Sequence, residues 1–154
     1  MEITKFNKVH FRSETCEWAT PQEVFAEWDK KFAFTLDPCA TADNSKCKYF
    51  FTKDENGLVQ DWGTESVFMN PPYGREIGLW MKKAYVSAKN GATVVCLVPA
   101  RTDTLWWHDF AMKGEIYLFK GRLKFGDAKN SAPFPSAVIV FEPLQQFADE
   151  KLAA

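Results

Sequence analysis

The segment SVFMNPPYGRE, residues 66–76, carries a short apolar run into Asn70, Pro71, Pro72 and Tyr73. Pro71 and Pro72 have locked φ angles and no N–H, so the loop is stiff and displays carbonyl oxygens with few competing donors. Asn70 adds a side-chain carbonyl acceptor. Two such acceptors can grip both hydrogens of an –NH2 group, with the face of Tyr73 beside it. An exocyclic amine on a planar ring is a poor nucleophile because its lone pair is delocalised. Acceptors pulling on its hydrogens favour a tetrahedral nitrogen and free that lone pair to attack an electrophilic methyl group. This is electrostatic and geometric catalysis that starts without a general base. If the ring is a nucleobase, it must first leave its stack. The plainer alternative is a proline-terminated strand with Asn70 in a local turn bond. The tyrosine, the apolar run and an acidic strand end upstream favour the clamp.

Two other apolar runs end in residues of chemical interest: Asp37-Pro38-Cys39-Ala40 and Pro99-Ala100-Arg101. Cations form a third group: Arg75, Arg101, Lys120, Arg122, Lys124 and Lys129. KGRLKFGDAKN holds four of these, with Phe125 among them, and a basic, aromatic-bearing loop suits a phosphate backbone and unstacked bases. An ordinary solvated loop would look the same. Arg101 and Asp103 flank a helix start and are equally placed to pair with each other. Trp106-Trp107 reads as core in preference to a base wedge.

These residues need elements to position them. In ATPQEVFAEWDKKF, Thr20 is the expected N-cap, Pro21 the first helical residue and Glu23 the partner in a capping box. Val24, Phe25, Trp28 and Phe32 then share a helical face. FAFTLDPCA and KCKYFFT read as short strands, ENGLVQDW as a turn at Asn56-Gly57 with a short segment, and SVFM as a strand. After Gly74, the spacing of Ile77, Trp80, Met81, Ala84, Tyr85 and Ala88 predicts a helix that Asn90-Gly91 stops. ATVVCLVPA has no alternation and suits a strand buried on both faces of a parallel sheet. TDTLWWHDFAMK predicts a helix ended by Gly114, EIYLFKGRLKF a strand, GDAKNSAPFPS a loop and SAVIVFE the last strand. Strands alternating with helices predict one α/β domain, a mostly parallel central sheet with helices on both faces. The expected boundaries are an arm over 1–17, the domain over 18–144 and a tail over 145–154. Ligands of such sheets bind at the carboxyl ends of strands near the switch in strand order, where all three end-of-strand motifs fall.

The chain has 154 residues, which is enough for one core but leaves little room for a second domain. Its net charge of −1 excludes whole-molecule attraction to nucleic acid, so any such contact must be a local patch. Aromatics reach 16%; most are expected in the core, and composition alone does not separate these from stacking surfaces. Cys16, Cys39, Cys47 and Cys96 form no C-x-x-C pair, and His10 and His108 are the only histidines, so no metal site is expected. Reduced thiols, an N-terminus without an apolar signal core and no run approaching ~20 apolar residues predict a protein of the cytoplasm, away from membranes.

The tetrapeptide Asn70-Pro71-Pro72-Tyr73 resembles the catalytic motif of S-adenosylmethionine-dependent methyltransferases acting on adenine N6, cytosine N4 or glutamine amides. LDPCA resembles the cofactor motif at the end of their first strand. The order W-x-T-P, LDPCA, DW, NPPYG, LVPAR-x-D-T-x-WW and KGR-x-x-F, from about Trp18 to Phe141, is similar more narrowly to the phage-type DNA N-6-adenine-methyltransferase family. That resemblance implies a Rossmann-like methyltransferase fold. It implies that Asn70 and the Pro71 carbonyl hold the adenine amine, with Pro72 stiffening the loop and Tyr73 stacking on a base flipped out of double-stranded DNA. Asp37, Pro38, Cys39 and Ala40 would line the methionine part of S-adenosylmethionine, released as S-adenosylhomocysteine. A carboxylate at a strand end also suits the cofactor's ammonium and sulfonium on charge alone. Thr20-Pro21 would touch the cofactor's carboxylate at a helix N-terminus, with a plain N-cap as the equal alternative. Asp61 would receive the cofactor's adenine amine, with Trp62 near its ring; the alternative for Asp61 is a solvated turn acid. The loop after Asp37 departs from the wider superfamily in having no glycine, and Asn44 would supply a polar contact that glycine amides give elsewhere. No insertion of the length of a target-recognition domain is present, which predicts loose sequence preference and leaves room for a homodimer or a host partner. Protection of phage DNA from host restriction is one purpose that fits. An RNA adenine, a protein glutamine amide, and a non-catalytic nucleic-acid-binding relic of the fold remain as alternatives.

Overall fold

The computed structural model describes residues 18–41 and 43–143. The expected arm over 1–17 and the tail over 145–154 lie outside the described residues.

Helix α1 (Gln22–Phe32) leads to strand β1 (Leu36–Asp37) and then to β2 (Tyr49–Phe50), a 3-10 turn (Gly57–Val59) and β3 (Ser66–Met69). Helix α2 (Ile77–Lys89), β4 (Thr93–Pro99), helix α3 (Leu105–Asp109), a second 3-10 turn (Ala111–Lys113), β5 (Glu115–Leu118) and β6 (Ser136–Phe141) follow. The six strands form one sheet in the order β2-β1-β3-β4-β6-β5. β2, β1, β3 and β4 run parallel, and β6 is antiparallel to both β4 and β5.

Register decides the two faces. Val67, Val94 and Phe141 stand side by side, and Tyr85 of α2 meets Phe141 at 6.0 Å between ring centroids. Phe68, Val95 and Val140 line the opposite face, where Phe25 of α1 meets Phe68 edge-on at 5.1 Å. Trp28 of α1 also reaches Tyr117 of β5, which stands beside Val138 on that face. The helices therefore cover both faces, and the unalternating run of β4 is apolar because neither side meets water. Val94, Val95, Cys96, Leu97 and Val98 are all fully buried. Each such aliphatic side chain contributes about 1.5–3 kcal/mol of burial.

Several elements differ from their sequence expectation. Thr20 does not cap α1: Pro21 takes the N-cap position without a side-chain bond, and the Pro21 carbonyl accepts from the amides of Val24 and Phe25, both at 3.1 Å. The Thr20 hydroxyl has a better use, described below. The helix expected over TDTLWWHDFAMK is five residues of α3 and a separate 3-10 turn; Thr104 is its N-cap, accepting from Trp107 N at 3.3 Å. β1 and β2 shrink to two residues each, and β5 stops at Leu118, just before the basic run that begins at Lys120. These three are outer or near-outer strands with few neighbours to extend them, so turn chemistry overrides their apolar pattern.

β1 has β2 on one side and β3 on the other, so strand order reverses there. The crevice at the carboxyl ends of β1 and β3 lies between Asp37 and Asn70.

Candidate active site

Asn70 follows the last residue of β3, and its side chain is fixed from one end. Its Nδ2 donates to the Trp18 carbonyl and, at 2.8 Å, to the Thr20 hydroxyl. A backbone carbonyl can only accept, so the amide's NH2 must face Trp18. Oδ1 is then the opposite end, and it is buried without a hydrogen-bond partner. An unpaired buried acceptor costs about 1–3 kcal/mol, which a hydrogen-bond donor from a ligand would offset. Two other buried side-chain atoms in the described residues lack partners, Trp80 Nε1 and Ser136 Oγ. Ser136 stands opposite Pro99 at the end of β4, and Trp80 lies one turn into α2, just after the motif. All three gather at the edge where the parallel strands end.

Tyr73 is anchored to β4. Its hydroxyl donates to the Leu97 carbonyl at 3.1 Å, its own carbonyl accepts from Arg101 Nη1 at 3.0 Å, and it is 2% exposed. Burial holds the phenol well above its ordinary pKa, so it is a strand anchor and not a proton donor to solvent. The rings of Phe125 and Phe134 stand nearly perpendicular to its ring, with centroids 6.2 and 5.6 Å away, and Trp18 packs in the same T-shaped manner against both phenylalanines. Gly126 N donates to Ala19 O at 2.9 Å, tying this aromatic cover to the segment that holds Asn70. A planar ring reaches the face of Tyr73 only if that cover moves. Phe125, expected as an exposed stacking residue, is instead 3% exposed within the cluster, because four aromatic rings bury more apolar surface together than apart.

Across the crevice, Asp37 is 6% exposed. Its carboxylate accepts from the Cys39 amide at 3.2 Å and the Lys46 amide at 3.4 Å. Burial raises its pKa above the ordinary carboxylate value, and the two amides and the Lys46 charge pull it only partly back. The glycine-free loop is closed by its own side chains. Asn44 Oδ1 accepts from Thr41 N at 2.7 Å, Thr41 Oγ1 from Asn44 N at 3.2 Å, and Ala40 N reaches Phe51 O at 3.0 Å. The Asn44 carbonyl is thus engaged in shaping the loop. Pro38 is buried under Gly57, where a Cβ would fall 2.2 Å from the Pro38 carbonyl and 3.1 Å from the Trp80 ring, so only glycine fits. S-adenosylmethionine fits this edge on one observed point: a desolvated carboxylate with long amide bonds is relieved by a cation beside it. The three cysteines among the described residues, Cys39, Cys47 and Cys96, are unpaired thiols held protonated by burial. Burial raises Cys39 and Cys96, brings Cys47 to about 12, and no metal-binding group of His, Cys, Asp or Glu occurs among the described residues.

Other expected site residues are not gathered here. Asp61 is exposed and folds back onto Gly63 N at 2.8 Å, a turn that Gly63 completes at φ 53°. Asp61 shares a cleft of about 450 Å³ with Lys83, Val86, Ser87 and Asn90, from the later half of α2 and beyond, away from the strand ends. Trp62 is 1% exposed and donates to Gly57 O at 2.9 Å, beneath Lys83. Its indole is core that braces the Gly57 turn. Trp106 and Trp107 are buried, as the core reading expected. Arg75, Lys120, Arg122, Lys124 and Lys129 are exposed, whereas Arg101 is half-buried and turned toward Tyr73. Sequence reasoning missed the Trp18 carbonyl, Phe134 and Trp80. Only Phe134 carried a local signal, an aromatic ring between Pro133 and Pro135 in a loop of small residues.

The model of the DNA N-6-adenine-methyltransferase (Dam) family matches residues 9–149 of the chain. The chain is 31% identical over 142 residues to the DNA N-6-adenine-methyltransferase of Haemophilus phage HP1, covering 86% of this chain and 82% of that protein. It is 33% identical over 92 residues to the DNA N-6-adenine-methyltransferase of Escherichia phage T1, covering 58% of this chain and 38% of the relative. The chain belongs to the DNA N-6-adenine-methyltransferase family.

Proposed function

We propose, from that membership and the geometry around Asn70, that the protein transfers a methyl group from S-adenosylmethionine to the N6 amine of adenine in DNA. The observation that carries this is the Asn70 amide, held by its NH2 so that a buried, unpaired Oδ1 awaits a donor at the end of β3. The N6 amine supplies that donor. Its second hydrogen goes to the Pro71 carbonyl, the nitrogen becomes tetrahedral and its lone pair turns toward the methyl group. When bound, S-adenosylmethionine would supply the electrophilic methyl, its sulfonium leaving as the thioether of S-adenosylhomocysteine, and the methylated nitrogen would then shed its extra proton to solvent. Asp37 receives the cofactor's ammonium, Pro38, Cys39 and Ala40 line its methionine part, and Thr20-Pro21 at the start of α1 takes its carboxylate. Stacking of the extruded adenine on Tyr73 requires the Phe125–Phe134 cover to move aside, with release of the bond from Gly126 N to Ala19 O. Arg75, Lys120, Arg122, Lys124 and Lys129 face the phosphates of double-stranded DNA, and action in the cytoplasm of a bacterial host on phage DNA fits the two relatives. No helix among the described residues is long and apolar enough to cross a membrane.

The test is transfer of labelled methyl from S-adenosylmethionine to unmethylated duplex DNA, followed by nucleoside analysis. N6-methyladenine from the wild type and about 10²- to 10³-fold less from Asn70→Ala is the expected result. Methylcytosine as product, or equal activity in both proteins, would overturn it.

A further inference from the structure

We infer that Arg101 is a positioning residue for the amine clamp and not a contact for DNA phosphate; this rests on the methyl-transfer reading above. Arg101 lies two residues beyond the end of β4. Its amide donates to Pro99 O at 2.9 Å, and its carbonyl accepts from Thr104 N at 3.2 Å and Thr104 Oγ1 at 2.7 Å. Thr104 in turn caps α3, so the guanidinium extends from a fixed backbone. Nη1 then donates to the Tyr73 carbonyl at 3.0 Å, a charge-assisted bond of the stronger kind.

The consequence lies in what sits between the fixed points. Asn70 is held through its side chain by Trp18 and Thr20, and Tyr73 is held through its hydroxyl by Leu97 and its carbonyl by Arg101. Pro71 and Pro72 have no N–H with which to bond to the scaffold. The Pro71 carbonyl is therefore aimed by the residues that pin the ends of the loop. The Leu97 bond fixes only the tip of the Tyr73 ring. The Arg101 bond fixes the backbone on the far side of the prolines, and losing it leaves the Pro71–Pro72 peptide, which carries the Pro71 carbonyl, free to turn about Pro71 ψ while Asn70 stays in place. One acceptor of the pair then drifts and the other does not, and misplacement of about 1 Å can cost about 100-fold in rate.

Arg101→Ala, Arg101→Gln and Arg101→Lys test this beside Lys124→Ala, whose exposed cation is the phosphate-facing comparison. For Arg101→Ala, kcat for N6-methyladenine formation should fall about 10- to 100-fold. Its KM for DNA, its affinity for S-adenosylhomocysteine and the salt slope of DNA binding should match the wild type. Arg101→Lys should recover part of kcat and Arg101→Gln less. Amide exchange over residues 73–77 should quicken in Arg101→Ala whether or not DNA is present. A salt slope shallower by about one with kcat intact would make Arg101 a phosphate contact and overturn the proposal. Unchanged kcat, or unchanged exchange over 73–77, would overturn it as well. If Arg101→Ala does not fold, the graded kcat of the lysine and glutamine variants decides. A wild type that forms no N6-methyladenine would sink the methyl-transfer reading instead, leaving the exchange comparison to judge Arg101 alone.

Discussion

The two sides of the crevice are built by different means. On the Asn70 side, β3, β4 and β6 are four to seven residues long, with every residue from Val67 to Met69, Val94 to Val98 and Ser136 to Phe141 at most 1% exposed. On the Asp37 side, β1 and β2 have two residues each, Tyr49 is 56% exposed, and side-chain bonds within the loop hold the shape. The difference teaches where precision is needed. Turning an amine tetrahedral depends on acceptor placement, and so draws on the packed seam. Holding a flexible, charged methionine tail depends on charge, and so tolerates a lighter scaffold.

Breaking the packed side should have the largest effect. Phe68→Ala removes the ring that Phe25 and Phe34 pack against, and should cost about 3–5 kcal/mol in urea denaturation. Tyr49→Ala on the light side should stay within about 0.5 kcal/mol. Comparable losses at both positions would erase the contrast. Next comes chemistry without scaffold: Asn70→Ala should lower single-turnover methyl transfer about 10²- to 10³-fold, with cofactor affinity little changed, the scale of losing a preorganised polar group.

Asp37→Asn probes the light side and should weaken S-adenosylhomocysteine about tenfold in calorimetry, the low end for a bond to a charged group. The pH dependence has a definite sign. The folded pKa lies above the ordinary 3.8, so folding favours the protonated acid. That stability is present below 3.8 and is lost as pH rises through the raised value. A bound ammonium favours the carboxylate, so ligand affinity should climb as pH rises through the same value, with a proton released. Asp37→Asn should flatten the profile; a profile unchanged by the substitution would remove Asp37 from the cation site. A narrower effect, confined to ligand affinity, is expected from Gly57→Ala, whose Cβ must displace the Pro38 carbonyl. Strain of about 1–3 kcal/mol should raise the ligand Kd several-fold and leave kcat intact. A fall in kcat instead would show the two sides to be coupled.

The same contrast explains what was legible in the sequence. β4 and α2 are long, and both stand close to where the unbroken apolar run of the one and the helical spacing of the other put them. The Asn-Pro-Pro-Tyr loop was legible because prolines dictate backbone shape locally. Asp61 was not, because a carboxylate that serves a turn and one that meets a ligand read alike in sequence. Thr20 shows the limit most clearly. Its spacing to Glu23 fits a capping box, yet its hydroxyl partner is 50 residues away at Asn70, a tertiary contact with no local trace. Phe125 likewise reads as exposed among cations until Trp18, Tyr73 and Phe134 surround it.

The position of β6 has a consequence for how the chain is made. β5 is synthesised before β6 yet touches the sheet only through it, and one side of β4 has no neighbour until β6 arrives. While residues 136–141 remain in the ribosome, the wholly apolar centre of β4, Val94 to Val98, is an open edge beside a loose β5. Such an edge is a template for wrong pairing. A nascent chain cut short before Ser136 would therefore be the species that chaperones and proteases meet, although every residue assigned to the clamp is already in it.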